Sequence, residues 1–179
     1  MRISRMALDR GWIWATGLGV IAYAILTFLD IELKSRTGVS TANLEGLASA
    51  AQFRLAFHAW APEPYAAEAG FVLGFAYLVM PFYALSFFFS GVIVAERFTP
   101  GKNRFRRWVL LAALVAAVSA LLDAGLRAME LAMLVGGPDD GLAGIAARLA
   151  NAKTVAVLVG LALLLGAVAA RIQARKKQA

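Results

Sequence analysis

The chain has 179 residues, 61% hydrophobic and 16% charged, with 18 Lys plus Arg against 11 Asp plus Glu and a mean hydropathy of +0.71. Soluble domains run at about 45–50% apolar and about 25% charged residues, so this surplus of apolar side chains requires lipid or other protein around it. A water-soluble enzyme and a disordered tail are excluded, and the length fits one domain of four membrane crossings without a separate catalytic module.

The first uncharged run is Gly11–Leu29. As a helix rising about 1.5 Å per residue it covers about 28 Å, close to the thickness of the hydrocarbon layer. Arg2, Arg5 and Arg10 precede it and Ala22-Tyr23-Ala24 lies within it, so a cleaved secretory signal is the rival reading. The run is longer than a compact signal core and is interrupted by Trp and Gly, which favours a retained span. Gly17 and Gly19 notch this span, and Asp30 and Glu32 end it.

The longest connection, Asp30–Ala69, is patterned. Ser40, Thr41 and Asn43 offer N-cap oxygens. Leu44, Leu47, Ala48, Ala51 and Leu55 then recur at helical spacing, while Glu45, Ser49 and Gln52 occupy another face. The pattern predicts one amphipathic helix over about 42–60, stopped by Pro62 and Pro64. Phe53, Phe57, His58 and Trp60 cluster at its end. Aromatic rings of this kind favour the headgroup level, so the helix is expected to lie along the membrane surface or to fold over the bundle mouth.

The second run, Gly70–Ala95, opens on a GxxxG pair, Gly70 and Gly74, and contains Pro81. Proline lacks an amide proton, so the Tyr77 carbonyl loses its helical partner and a bend is expected there. Tyr77, Tyr83 and Ser86 lie close by in sequence. They either line a polar pocket or flank a kink that a neighbouring side chain satisfies.

The third run, Trp108–Val135, carries small residues every four positions, Ala112, Ala116, Ala120 and Ala124, which predicts a helix-packing face. It also carries Asp123, Arg127 and Glu130. Spacings of four and seven place all three on one helical face. A charge at the bilayer centre costs about 2.5–3.5 kcal/mol on insertion scales, so these side chains must pair or turn inward. With Trp108 at the inner boundary, the triad falls in the outer half of the span. Gly136-Gly137-Pro138-Asp139-Asp140 reads as a turn, Gly141–Ala150 as a second short surface piece, and Thr154–Ala170 as the fourth span. Asn151, Lys153 and Arg171 flank that last run and can reach to the headgroups.

Charge placement predicts sidedness, because Lys and Arg near the ends of spans stay in the cytoplasm. One side collects Arg2, Arg5 and Arg10, then Arg97, Lys102, Arg104, Arg106 and Arg107, then Arg171, Arg175, Lys176 and Lys177. The other holds Lys34, Arg36, Arg54, Arg148 and Lys153. Both termini are therefore expected to be cytoplasmic. The same distribution explains the pI of about 10.3 without nucleic acid, since no basic surface remains once these short segments border the membrane.

Zero Cys excludes disulfides, iron–sulfur clusters and thiolate zinc, and a single His, His58, excludes sites built from several imidazoles. The sequence has no phosphate-binding loop and no GxSxG elbow. No cofactor is expected, and the arginine and lysine near the carboxylates disfavour a metal.

Two readings of the intramembrane charges stay open. Arg127 is clamped by Asp123 and Glu130 within its own helix. Alternatively Asp30, Glu32, His58, Tyr77, Asp123, Arg127 and Glu130 line a polar pocket that binds an amphiphilic ligand or carries protons. The chain also resembles a small bacterial four-helix membrane family of uncharacterised function. The resemblance rests on Phe28-Leu29-Asp30-Ile31-Glu32, on Tyr77-Leu78-Val79-Met80-Pro81-Phe82-Tyr83, on Leu121-Leu122-Asp123 followed by Glu130, and on Asn151–Lys153. It implies a four-span fold and supplies no reaction.

The sequence thus predicts an all-α, four-helix transmembrane bundle in a bacterial-type inner membrane, with an extracytoplasmic amphipathic helix between the first two spans. The expected role is noncatalytic, packing with a membrane partner or a second copy, or binding a membrane ligand. The alternatives are a small transporter or proton-coupled carrier and a membrane-embedded lipid-modifying enzyme.

Overall fold

The computed structural model describes residues 5–98 and 103–176. Arg2, Lys102 and Lys177, which entered the sidedness count, lie outside them. Among the described residues there is no strand. The elements are α1 (Arg5–Thr37), a 3-10 turn (Thr41–Gly46), α2 (Ala50–Trp60), α3 (Tyr65–Phe98), α4 (Asn103–Gly136) and α5 (Asp140–Lys176). Among the described residues, four segments are long and apolar enough to cross a membrane: Met6–Thr37, Tyr65–Arg97, Arg104–Gly136 and Asp140–Gln173. The fold is an all-α bundle, and the chain has the character of a multi-pass membrane protein. Each apolar run sits inside one long helix and the helix outruns it, because polar residues at the ends keep good helix propensity and need only leave the lipid.

The helices end where the backbone requires it. Gly38 (φ +80°) follows α1 and Gly137 (φ +94°) follows α4, both in the left-handed region that glycine adopts without steric cost. Their amides donate to Lys34 O at 2.8 Å and Met133 O at 3.0 Å, which satisfies carbonyls left over by the last turns. Asp139 begins the next helix, its Oδ1 accepting from Leu142 N at 3.0 Å.

Two expectations about the connections change. The single helix expected over 42–60 is two pieces. Ser40 and Asn43 cap the 3-10 turn, with Ser40 N donating to Asn43 Oδ1 at 3.0 Å. Leu47 and Ser49 are extended, and Ser49 caps α2 by accepting from Gln52 N at 3.4 Å while Gln52 Oε1 accepts from Ala48 N at 2.9 Å. Ser49 and Gln52 read as a polar helical face, but their side chains offer the backbone local hydrogen bonds that compete with continuous helix. Conversely Gly141–Ala150 is not a separate surface piece. It forms the first turns of α5, because Asn151-Ala152-Lys153 contains no helix breaker.

The chain packs as two compact units. One comprises Met1–Gly19, Pro81–Ala120 and Thr154–Ala179. Its core holds Leu8, Trp12, Ile93, Ala167 and Ala170. Trp12 Nε1 donates to Ser90 Oγ at 2.8 Å, and the Thr16 and Ser86 hydroxyls share a 2.8 Å hydrogen bond. Arg171 lies over the Trp12 ring, 4.3 Å from its centroid, and pairs with Asp9 at 2.6 Å. Gly91 and Gly160 leave no room for a side chain. A Cβ on Gly91 would stand 2.2 Å from Ala113 Cβ, and one on Gly160 would stand 2.4 Å from the Phe87 ring. Of the glycines noted in the sequence, Gly17 and Gly74 have nothing within 4 Å of a Cβ, whereas a Cβ on Gly19 would lie 3.4 Å from Phe82 Cβ and one on Gly70 3.9 Å from Leu134. On α4, Ala116 and Ala120 of the small-residue ladder are buried, and Ala112 and Ala124 are half-buried.

The other unit comprises Val20–Met80 and Leu121–Lys153. Leu33, Leu44, Phe53, Trp60, Leu73, Leu126 and Met133 form its core. Phe53 and Trp60 are completely buried, and Trp60 Nε1 donates to Val39 O at 3.1 Å. Of the two positions open to the aromatic end of α2, it takes the one folded onto protein. Large apolar side chains on the outside, among them Trp14, Phe28 and Ile31 on α1, are the surface that suits lipid.

Candidate functional site

The intramembrane charges of α4 form the centre of a buried cluster in the second unit. Asp123, Arg127 and Glu130 share a face as their spacing requires, and two further groups reach them from distant sequence. Glu45 comes from the 3-10 turn and Lys153 from α5. Arg127 Nη1 donates to Glu130 Oε2 at 2.8 Å, Nη2 donates to Glu45 Oε1, and Nε lies 3.6 Å from Asp123 Oδ1. Lys153 Nζ bridges Glu45 Oε2 at 2.7 Å and Asp123 Oδ1 at 3.2 Å. Arg127 thus contacts three carboxylates and Lys153 two. Glu130 is fully buried, whereas Glu45, at 27% side-chain exposure, is the most open member. Two buried atoms, Glu130 Oε1 and Arg127 Nε, have no hydrogen-bond partner among the described residues.

Glu45 reaches this position because the turn that carries it is held on both sides. Asp30 Oδ1 accepts from Thr41 N at 2.6 Å and from Thr41 Oγ1 at 2.8 Å, and Oδ2 accepts from Ala42 N at 3.4 Å. Leu44, next to Glu45, is 1% exposed in the core. Asp30 is therefore not a member of the cluster but the side chain that caps the turn presenting Glu45. We expect Asp30→Ala to cost about 1–2 kcal/mol, the usual loss for a helix cap, and to speed amide exchange at Thr41 and Ala42. Glu32→Ala, measured by the same unfolding and exchange experiments, should stay within about 0.5 kcal/mol of the parent.

The other sequence candidates fall elsewhere. Glu32 pairs with Arg36 at 2.5 Å, and Arg36 also reaches Glu68 at 3.4 Å, but all three are partly or largely exposed, a setting in which such pairs contribute little. His58 is exposed on α2 while Phe53 and Trp60 of the same helix are buried. Tyr77 donates its hydroxyl to the Ala124 carbonyl at 3.0 Å, beside the cluster but on backbone rather than on a carboxylate. Sequence reasoning placed Glu45 on the polar face of an amphipathic helix and Lys153 at a headgroup boundary. A clue was available in the charge balance, since Asp123 and Glu130 outnumber Arg127 on their own face and so call for a further cation.

Chemically, five ionisable side chains pair with one another here, three carboxylates with two cations. The cations already occupy carboxylate oxygens, and among the described residues no three His, Asp or Glu side chains are placed to share a metal ion. Comparison with protein-family models, with curated proteins and with solved structures gives no match.

Proposed function

We propose that the protein is a noncatalytic integral membrane protein of a bacterial-type inner membrane whose charge cluster is a structural clamp. The observation that carries this reading is the pairing within the cluster: Arg127 contacts three carboxylates and Lys153 two. Ion pairs used in this way hold the turn at 41–46 to α4 and α5 rather than display charge to a passing solute. Breaking a buried pair by removing one partner is costly, so such a cluster favours one arrangement of the segments it joins. The excess of basic residues beside the three segments read as cytoplasmic supports cytoplasmic termini, with the turn and α2 on the outer side. A rigid outer cap on an apolar bundle suits a packing role with a membrane partner or a second copy, or the binding of a membrane ligand.

Purified protein in liposomes tests the clamp against the transport reading. After a pH jump, proton flux should equal that of protein-free liposomes. Flux that disappears in Asp123→Asn or Glu130→Gln, with the variant still folded, overturns the proposal in favour of a proton-coupled carrier.

A further inference from the structure

Tyr23 on α1 is 63% exposed, and its hydroxyl has no hydrogen-bond partner among the described residues. Its depth follows from the charged rim of the second unit. Glu32 of α1 and Glu68 of α3 both pair with Arg36 and so share one level, and Tyr23 and Tyr77 each lie nine positions further in along their helices. At about 1.5 Å per residue, both tyrosines sit about 14 Å from that rim. In the other direction along α1 the next charge is Arg10, about 20 Å away. Tyr23 therefore faces outward near the middle of the hydrocarbon layer, far from water and headgroups. The two tyrosines at this depth are treated differently. Tyr77 donates to the Ala124 carbonyl at 3.0 Å, whereas Tyr23 finds no acceptor among the described residues. A threonine hydroxyl at such a position turns back onto a carbonyl of its own helix. A tyrosine hydroxyl stands at the far end of a rigid ring and does not reach one. Acyl chains offer no acceptor either, so a hydroxyl left in them is costly.

We infer that this face of α1 packs against α1 of a second copy of the chain, with the Tyr23 hydroxyls hydrogen-bonded across the interface. Copies inserted the same way round present Tyr23 at the same depth, and a twofold axis along the membrane normal brings the two faces together. A phenol hydroxyl both donates and accepts, so the same group on a second copy completes it, which neither a lipid tail nor a purely apolar helix does. The residues beside it suit such packing. Val20, Ala24, Thr27 and Ile31 are all exposed and are spaced alternately four and three apart, the pattern of a two-stranded helical seam, with Tyr23 at its edge. This rests on the packing role proposed above and names its partner and its surface.

The chain has no cysteine, so single cysteines report proximity without background. In lipid vesicles treated with copper phenanthroline, Thr27→Cys should form a disulfide-linked dimer. Leu121→Cys on α4 and Leu165→Cys on α5, at exposed positions, should stay monomeric. Energy transfer between donor- and acceptor-labelled full chains, followed as the vesicles are diluted with lipid, should report a dimer that Tyr23→Phe weakens by about 3- to 20-fold, the range of interhelical hydrogen bonds in membranes. Tyr23→Phe should unfold like the parent, because the hydroxyl makes no hydrogen bond among the described residues. The inference is overturned by a parent chain that stays monomeric before any dilution, by cross-linking through α4 or α5 and not α1, or by a Tyr23→Phe dimer of unchanged affinity. A parent that is monomeric by itself yet captures a different protein through Tyr23 also overturns it. Loss of the dimer leaves the clamp untouched, because the clamp lies within one chain, whereas liposome flux removes the clamp reading whatever the cross-linking shows.

Discussion

Replacing Arg127 with Met should destabilise the protein by about 3–5 kcal/mol, the range found when one partner of a buried ion pair is removed. Arg127 contacts all three carboxylates, and its side chain is 9% exposed. Without it Glu45 and Asp123 share Lys153, and Glu130 loses the contact it makes through Oε2. Reversible unfolding in mixed micelles measures the loss. The double variant Arg127→Met with Glu45→Gln should lose less than the sum of the two single changes, because the two residues are direct partners and the second substitution removes a carboxylate that the first leaves competing for Lys153. A loss under about 1 kcal/mol for Arg127→Met would place the cluster among exposed pairs, which typically contribute that little.

Gly91→Ala should cost about 1–3 kcal/mol in the other unit, as overpacking of a close-packed interface does. The new methyl would lie 2.2 Å from Ala113 Cβ and 3.2 Å from Ala113 Cα. Neither atom can rotate away, so α3 and α4 must separate locally, and contacts along that seam weaken with them. Ala113→Gly introduced on the Gly91→Ala background removes the nearest obstacle and should recover part of the loss. Gly74→Ala is the matching control: a Cβ there meets nothing within 4 Å, and alanine in a helix interior is favoured over glycine by roughly 0.5–1 kcal/mol. Thermal unfolding of the three variants checks the ranking.

Much of the architecture was legible because it depends on one-dimensional quantities. A run of about twenty uncharged residues must span or be buried, and the four runs each lie within a long helix. The shared face of Asp123, Arg127 and Glu130 follows from helical geometry alone. What was not legible depends on groups far apart in sequence. Glu45 meets Arg127 across 82 positions and Lys153 meets Asp123 across 30, and nothing local announces either pairing. Glu45 was further disguised by hydrophobic spacing that suggested one amphipathic helix, whereas Ser49 and Gln52 supply caps that divide it. The glycines carry a similar lesson. Gly70 and Gly74 have the spacing of a packing motif, yet Gly74 meets nothing and Gly70 only the tip of Leu134, while Gly91, which the sequence reading passed over, lies against Ala113. Close approach depends on where the neighbouring helix runs, which spacing on one helix does not encode.

The most direct test of the clamp is a double-mutant cycle on Glu45 and Lys153, which join the 3-10 turn to α5 at 2.7 Å. Glu45→Gln, Lys153→Met and the double variant would be unfolded under identical conditions. The clamp predicts a coupling of about 1–3 kcal/mol, the double variant losing less than the two single variants together. Losses that add to within about 0.3–0.5 kcal/mol would show the two groups to be energetically independent and would contradict it.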